Sequence, residues 1–137
     1  MDFIKWETKY ELGIEEIDKQ HQQLIGILNR LYDAFVKKES DKLLGEILNE
    51  MDTYAQLHFN MEEEGFEKFK YEGKEKHIAE HTRYNETIGS FRADLEKGRP
   101  ITFKVMNFLR IWWTEHILIS DAKYVPTFVQ NEKDTEG

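Results

Sequence analysis

The sequence predicts an all-α fold, an up-down-up-down four-helix bundle behind an irregular N-terminal arm. Three observations predict it. Four segments repeat apolar residues at alternating three- and four-residue steps, the period of one helical face. The breaks between them are short, which makes successive helices antiparallel neighbours. With 137 residues and 2 prolines, the chain suffices for one cored domain and is too short for two ordinary ones.

The arm, residues 1–16, carries Phe3, Ile4, Trp6, Tyr10 and Leu12. That is too apolar for a disordered tail, so the arm is expected to pack across the bundle. The first helix aligns Ile17, His21, Leu24, Leu28, Leu31 and Phe35 on one stripe. A polar break from Lys37 to Asp41 follows, in which Ser40 or Asp41 can serve as N-cap. The second helix aligns Leu44, Ile47, Met51, Tyr54 and His58, then Glu62 and Phe66. It is expected to end before Gly73, a suitable C-cap. The third aligns His77, His81, Tyr84, Ile88, Phe91 and Leu95, and Gly98 and Pro100 stop it. Thr102 is placed to cap the fourth, where Val105, Leu109, Trp112, His116 and Ile119 share a face. Pro126 is expected to close the ordered part, so the bundle spans about 17–128 and residues 129–137 form a frayed tail.

Composition removes several function classes. A formal net charge of −8 repels nucleic acid and anionic membranes. There is no cysteine, which excludes thiolate zinc sites, iron–sulfur clusters and disulfides, so any metal must use His, Asp and Glu. The start, MDFIKWETKY, has no apolar run long enough for a signal peptide or a membrane span. A soluble cytoplasmic protein is expected.

All five histidines, His21, His58, His77, His81 and His116, fall on these inward stripes. A solitary histidine there is most often a hydrogen-bonded core residue. Five of five is different, because each buried imidazole without a partner costs about 1–3 kcal/mol. A net stability of about 5–15 kcal/mol does not easily absorb that sum. A metal centre satisfies them together, and bundle cores are where such centres are built. Glu62 shares the face of His58, whereas Glu63 and Glu64 turn away and read as a solvated acidic face. Asp121 follows His116 by five residues, off the face of a regular α-helix. A π-bulge between them would bring it back.

Five imidazoles and two carboxylates exceed the needs of one ion. Two bridging carboxylates make a dinuclear site natural, with one shared oxide or hydroxide and one coordination position left open on one metal. The N/O set suits iron, and zinc or manganese could also occupy it. Such a centre would bind a small diatomic such as dioxygen. Neutral imidazoles favour the lower oxidation state, which suits release over further oxidation.

At this point the residues match a family. The chain resembles the hemerythrins, specifically the single-domain bacterial hemerythrins, over nearly its whole length. The resemblance rests on Trp6 with G-I-x-x-I-D-x-x-H (Gly13, Ile14, Ile17, Asp18, His21) and on H-F-x-x-E-E (His58, Phe59, Glu62, Glu63). It continues with Tyr71, H-x-x-E-H at 77–81, and W-x-x-x-H-I-x-x-x-D (Trp112, His116, Ile117, Asp121). It implies two iron ions (Fe2+/Fe3+), bridged by oxide or hydroxide and by Glu62 and Asp121. His77, His81 and His116 would hold the coordinatively full iron, and His21 and His58 the open one. It also implies reversible dioxygen binding for carriage, storage or local delivery, in a pocket of Leu24, Phe59, Trp112, Trp113 and Ile117. Other small diatomics fit the same position. A monomer without catalytic residues is expected. The chain departs from the family pattern at Trp113, where leucine is frequent, at Phe66, where methionine or leucine is usual, and at Glu72, where proline is frequent.

Competing readings exist. HIAEH also matches the inverted zinc-protease signature, with Glu80 as general base, but that leaves three buried histidines unexplained. A di-iron enzyme that scavenges nitric oxide or peroxide, or acts as a weak oxidase, would use the same open position. An oxygen sensor is a further alternative, though such members usually carry a signalling domain.

Overall fold

The computed structural model describes residues 4–136, except for the side chains at 40, 41 and 130–136. After a single 3-10 turn at Thr8–Tyr10, four helical rods pack antiparallel, and there is no strand among the described residues. The first three rods are α1 (Glu15–Val36), α2 (Ser40–Phe69) and α3 (Lys74–Glu96). The fourth is compound: α4 (Thr102–Ile111), a π-helical segment (Trp112–Asp121) and α5 (Ala122–Glu136). The rods close into a bundle because α1 packs against α4 as well as α2. None of the described helices is long and apolar enough to cross a membrane.

The stripes face inward nearly as the sequence predicts. Ile17, His21, Leu24, Leu28 and Leu31 are buried on α1, whereas Phe35 stands 42% exposed in its last turn. On α2 the whole stripe from Leu44 to Phe66 is buried. Tyr84 crosses from α3 to donate its hydroxyl to the Met51 carbonyl at 2.9 Å. On the fourth rod Ile119 is 53% exposed, contrary to its expected place on the stripe, and Asp121 is fully buried instead. The cause is the π-helical segment, whose i→i+5 bonding brings the residue five positions after His116, not three, round to the core.

The helix ends differ from expectation in three places. Lys70, not Gly73, takes the left-handed C-cap of α2, at φ +53°. Gly73 sits at the N-cap of α3 with φ −83°, and a Cβ there would meet the Tyr71 ring at 2.8 Å, so any side chain would displace that ring. Ile101, fully buried, holds the N-cap position of α4 in place of Thr102. The helix does not stop at Pro126 but runs through it to Glu136, so the backbone at 129–136 is helical where a frayed tail was expected. A proline inside a helix costs about 3 kcal/mol. Tyr124 and Phe128, both buried, anchor the turn on either side of it. The side chains of Ser40 and Asp41, expected to cap α2, lie outside the described residues, as does Phe3; Glu39 at the cap position makes no side-chain bond.

The arm packs across the bundle. Asn29 of α1 holds Ile4 through both polar groups of its backbone, accepting from its N–H at 2.8 Å and donating to its carbonyl at 2.7 Å. Asp18 accepts from the N–H groups of Leu12 at 2.8 Å and Gly13 at 3.2 Å, which gives the acid in G-I-x-x-I-D a structural task. Trp6 and Tyr10 lie against the core.

The core itself is two apolar clusters. The larger includes Leu24, Met51, Tyr54, Phe59, Tyr84, Trp112 and Ile117. The smaller is Ile17, Phe66, Tyr124 and Phe128. Along the rods a set of buried polar residues falls between the one cluster and the other.

Candidate metal centre

Seven of them are His21, His58, Glu62, His77, His81, His116 and Asp121, one or more from each rod and none more than 3% exposed. They form two groups: His21, His58 and Asp121 in one, Glu62, His77, His81 and His116 in the other, with one ligand-capable atom from each member lying within 4.8 Å of the rest of its group. The two carboxylates join the groups. Asp121 Oδ2 lies 2.8 Å from His21 Nε2 and 3.2 Å from His58 Nε2, while Oδ1 lies 2.9 Å from His77 Nε2 and 3.0 Å from His116 Nε2. Glu62 Oε1 is 3.1 Å from both His58 Nε2 and His81 Nε2, and Oε2 is 3.4 Å from His77 Nε2. The π-helical segment is what makes this possible, since it carries both His116 and Asp121 inward.

Only part of this proximity is hydrogen bonding. Asp121 Oδ2 has hydrogen-bond geometry to His21 and His58. His77 Nε2, His81 Nε2, His116 Nε2, Asp121 Oδ1 and both Glu62 oxygens are buried with no hydrogen-bond partner. These atoms approach one another closely without hydrogen-bond geometry, and converge on a shared interior space. Unpaired polar atoms at this depth cost about 1–3 kcal/mol each, so a donor set of this shape fits metal cations far better than it fits an empty core.

The electrostatics of the metal-free chain agree. Burial pushes the Asp121 carboxyl up, but His116, His21 and His58 together hold it well below the usual range. Burial and Asp121 push Glu62 up, and His58, His77 and His81 outweigh them, leaving it lowered. Burial pulls the His77 imidazole down, yet the two carboxylates raise it to about 9. Burial dominates at His81, which is lowered. Both carboxylates are thus ionised in a sealed core, ready for cations.

Outer contacts orient the ring nitrogens. Gln20 offers its amide oxygen to His58 Nδ1. Glu80 Oε1 lies 3.2 Å from His116 Nδ1 and accepts from Ser120 Oγ at 3.0 Å. Glu63, expected as a solvated acid, remains 37% exposed but reaches within 3.5 Å of His81 Nδ1. Sequence reasoning did not single out Gln20 or Tyr54 as site residues. Gln20 precedes a ligand-type histidine on a buried flank, and Tyr54, one turn before His58, stacks on its ring at 5.3 Å. Spacing from the histidines is the signal that could have found both.

Of the apolar residues named from the sequence, three lie against the rings of this set. Leu24, Phe59, Trp112, Trp113 and Ile117 are all buried. Phe59 stacks on His81 with ring centroids 3.8 Å apart, and Trp112 stacks on His116 at 3.9 Å. Trp113 meets the other group, at His21.

A sequence profile of the Hemerythrin HHE cation binding domain matches residues 12–128. The chain belongs to the hemerythrin family. Among hemerythrin relatives, the Bacteriohemerythrin of Clostridium acetobutylicum is 31% identical over 127 residues, covering 88% of this chain and 97% of the relative. That of Pseudomonas aeruginosa strain PAO1 is 28% identical, covering 91% and 81%. The Hemerythrin-like protein of Naegleria gruberi is 27% identical, covering 88% and 90%. A crystal structure of a hemerythrin mutant superposes with a TM-score of 0.78 at 23% identity, over 93% of this chain and 98% of that one. At that identity the likeness speaks for the hemerythrin fold alone.

Proposed function

We propose that this chain binds dioxygen reversibly at a non-haem di-iron centre, for carriage, storage or local delivery, and is not an enzyme. The observation that carries the reading is the division of Asp121, one oxygen facing His21 and His58, the other facing His77 and His116. A carboxylate so shared is built to bridge two ions. His77, His81 and His116 would hold one iron, His21 and His58 the other, with Glu62 the second protein bridge. Neutral imidazoles and two carboxylates suit iron among the first-row metals.

When bound, the iron pair supplies reversible uptake of dioxygen, with one electron available from each ferrous ion. The chain's own residues do the rest. Leu24, Phe59, Trp112, Trp113 and Ile117 exclude water and protons, which protects a bound gas molecule from irreversible reduction. Gln20 holds the His58 ring by its Nδ1 and so turns Nε2 inward. Glu80 is engaged with His116 and Ser120, and is not free to serve as the general base of a zinc protease.

The test is an anaerobic ferrous titration followed by cycles of air and deoxygenation in the visible spectrum. Two irons per chain, with a charge-transfer band that appears under air and vanishes repeatedly without it, is the expected result. A single irreversible bleaching with product release would make the protein an enzyme, and uptake of a lone zinc would end the di-iron reading.

A further inference from the structure

Glu80 is the one member of H-x-x-E-H that the metal centre leaves over. Its chain neighbours His77 and His81 point into the core, while Glu80 sits at the seam between α3 and the π-helical segment, with its side chain 26% exposed. There it contacts two residues of that segment one turn apart, His116 at 3.2 Å and Ser120 at 3.0 Å, through a single oxygen. Two clefts end on it. One, of about 120 Å³, is lined by Tyr84, Phe108 and Trp112 along with His116; the other, of about 180 Å³, is lined by Tyr71, His77 and Ser120. Glu80 lines both.

The chemistry of the contact is one-directional. An ionised carboxylate only accepts, so the bond to His116 requires the proton on Nδ1 and leaves the Nε2 lone pair facing Asp121. Ser120 holds the same oxygen and keeps it from swinging into either cleft. Because Ser120 precedes Asp121, the clamp also spans the turn that carries the bridging acid. A π-helical turn is uncommon and is held where packing or side-chain contacts over-determine it.

We propose that Glu80 is a positioning residue: together with Ser120 it fixes the His116 imidazole with Nε2 inward and locks the π-helical turn that delivers Asp121. The role rests on reading these histidines as metal ligands, and it adds an asymmetry to that reading. The imidazole on one side of the centre is backed by a full negative charge, that of His58 on the other side only by a neutral amide. A carboxylate behind a metal-bound histidine makes the ligand more basic, so the ion held by His116 is the harder of the two to reduce.

The test compares wild type with Glu80→Ala, Glu80→Gln and Ser120→Ala. Zinc titrated against a chromophoric chelator gives affinity, and proton exchange of the His116 Nδ1–H resonance gives the state of the clamp in zinc-loaded and metal-free protein. Glu80→Ala should bind zinc roughly 10–100-fold more weakly and lose the slowly exchanging resonance. Ser120→Ala should fall between, because the oxygen keeps one partner. Glu80→Gln, whose amide oxygen still accepts, should restore the resonance and most of the affinity, while raising the reduction potential of the iron-loaded protein. Wild-type affinity and an unchanged resonance in Glu80→Ala would overturn the proposal. Wild type that takes up no metal would overturn the reading of the centre instead, and the resonance in metal-free protein would still decide the clamp. If Glu80→Ala does not fold, the Ser120→Ala and Glu80→Gln results decide alone, and two variants indistinguishable from wild type in resonance and potential would refute it.

Discussion

Trp113 meets the His21 imidazole edge-on, with ring centroids 6.2 Å apart at 89°. Its far side is closed by the arm, since Trp6 and Tyr10 pack against it at 6.1 and 5.2 Å. The side of the centre assigned the open position is therefore walled by two aromatic layers.

Thinning that wall should shorten the life of the gas complex. Trp113→Leu removes ring area without adding polarity, and Trp6→Ala removes its backing. In each, the dioxygen-bound spectrum should decay about tenfold faster than in wild type, a barrier change of about 1.4 kcal/mol. Stopped-flow decay in air-saturated buffer measures it. Equal lifetimes in both variants would mean that water reaches the centre elsewhere.

Asp121 should control stoichiometry. Asp121→Ala strips the group of His21 and His58 of its carboxylate and removes the oxygen that faces His77 and His116 in the other, and the iron content of reconstituted protein should fall from two per chain to one or none. Elemental analysis after gel filtration reads this directly. Two tightly held irons in the variant would contradict the bridging role.

The metal-free protein should lose stability as pH rises. The folded His77 imidazole titrates at about 9, above the ordinary 6.5. A raised imidazole stabilises the fold fully below 6.5, and that contribution fades as pH rises through 9. It amounts to at most on the order of 3 kcal/mol. His58 and His116 are raised too and steepen the loss. His81 is lowered, so it destabilises only on the acid side. Urea midpoints in chelator between pH 6 and 10 should fall, while the metal-loaded protein should stay flat over the same range because its imidazole nitrogens are committed to the metal. A flat chelated curve would rule out protonated imidazoles beside the carboxylates.

Asp18 should hold the arm. Asp18→Ala orphans the Leu12 and Gly13 amides and should cost about 1–2 kcal/mol. Amide exchange at these two residues should quicken well before that of the core helices. Unchanged protection there would show that aromatic packing alone fixes the arm.

The legible parts of the sequence were those where burial writes a period. His58, Glu62 and Phe66 could be placed on one face by counting, and all three are buried there. The five-residue step from His116 to Asp121 could be read as a distortion, and a π-helical segment covers it. Its extent could not, and the ten-residue segment turns Ile119 out to solvent. Caps were less legible because the backbone decides them. Lys70 adopts a left-handed conformation that its side chain does not advertise, while Gly73, in the turn before α3, makes room for the Tyr71 ring and has no positive φ. Outer contacts such as Gln20 to His58 join residues distant in the chain, so the place of Gln20 beside His21 is the one local hint of this bond.

The sandwiching of the polar cluster between two apolar layers has a kinetic corollary. What hinders solvent from leaving or arriving also hinders ions, so cations must either be captured while the rods are still assembling or wait for the rods to breathe apart. Cofactor acquisition and loss would then share the steep temperature dependence of opening, and a protein purified empty would load slowly however strongly it binds.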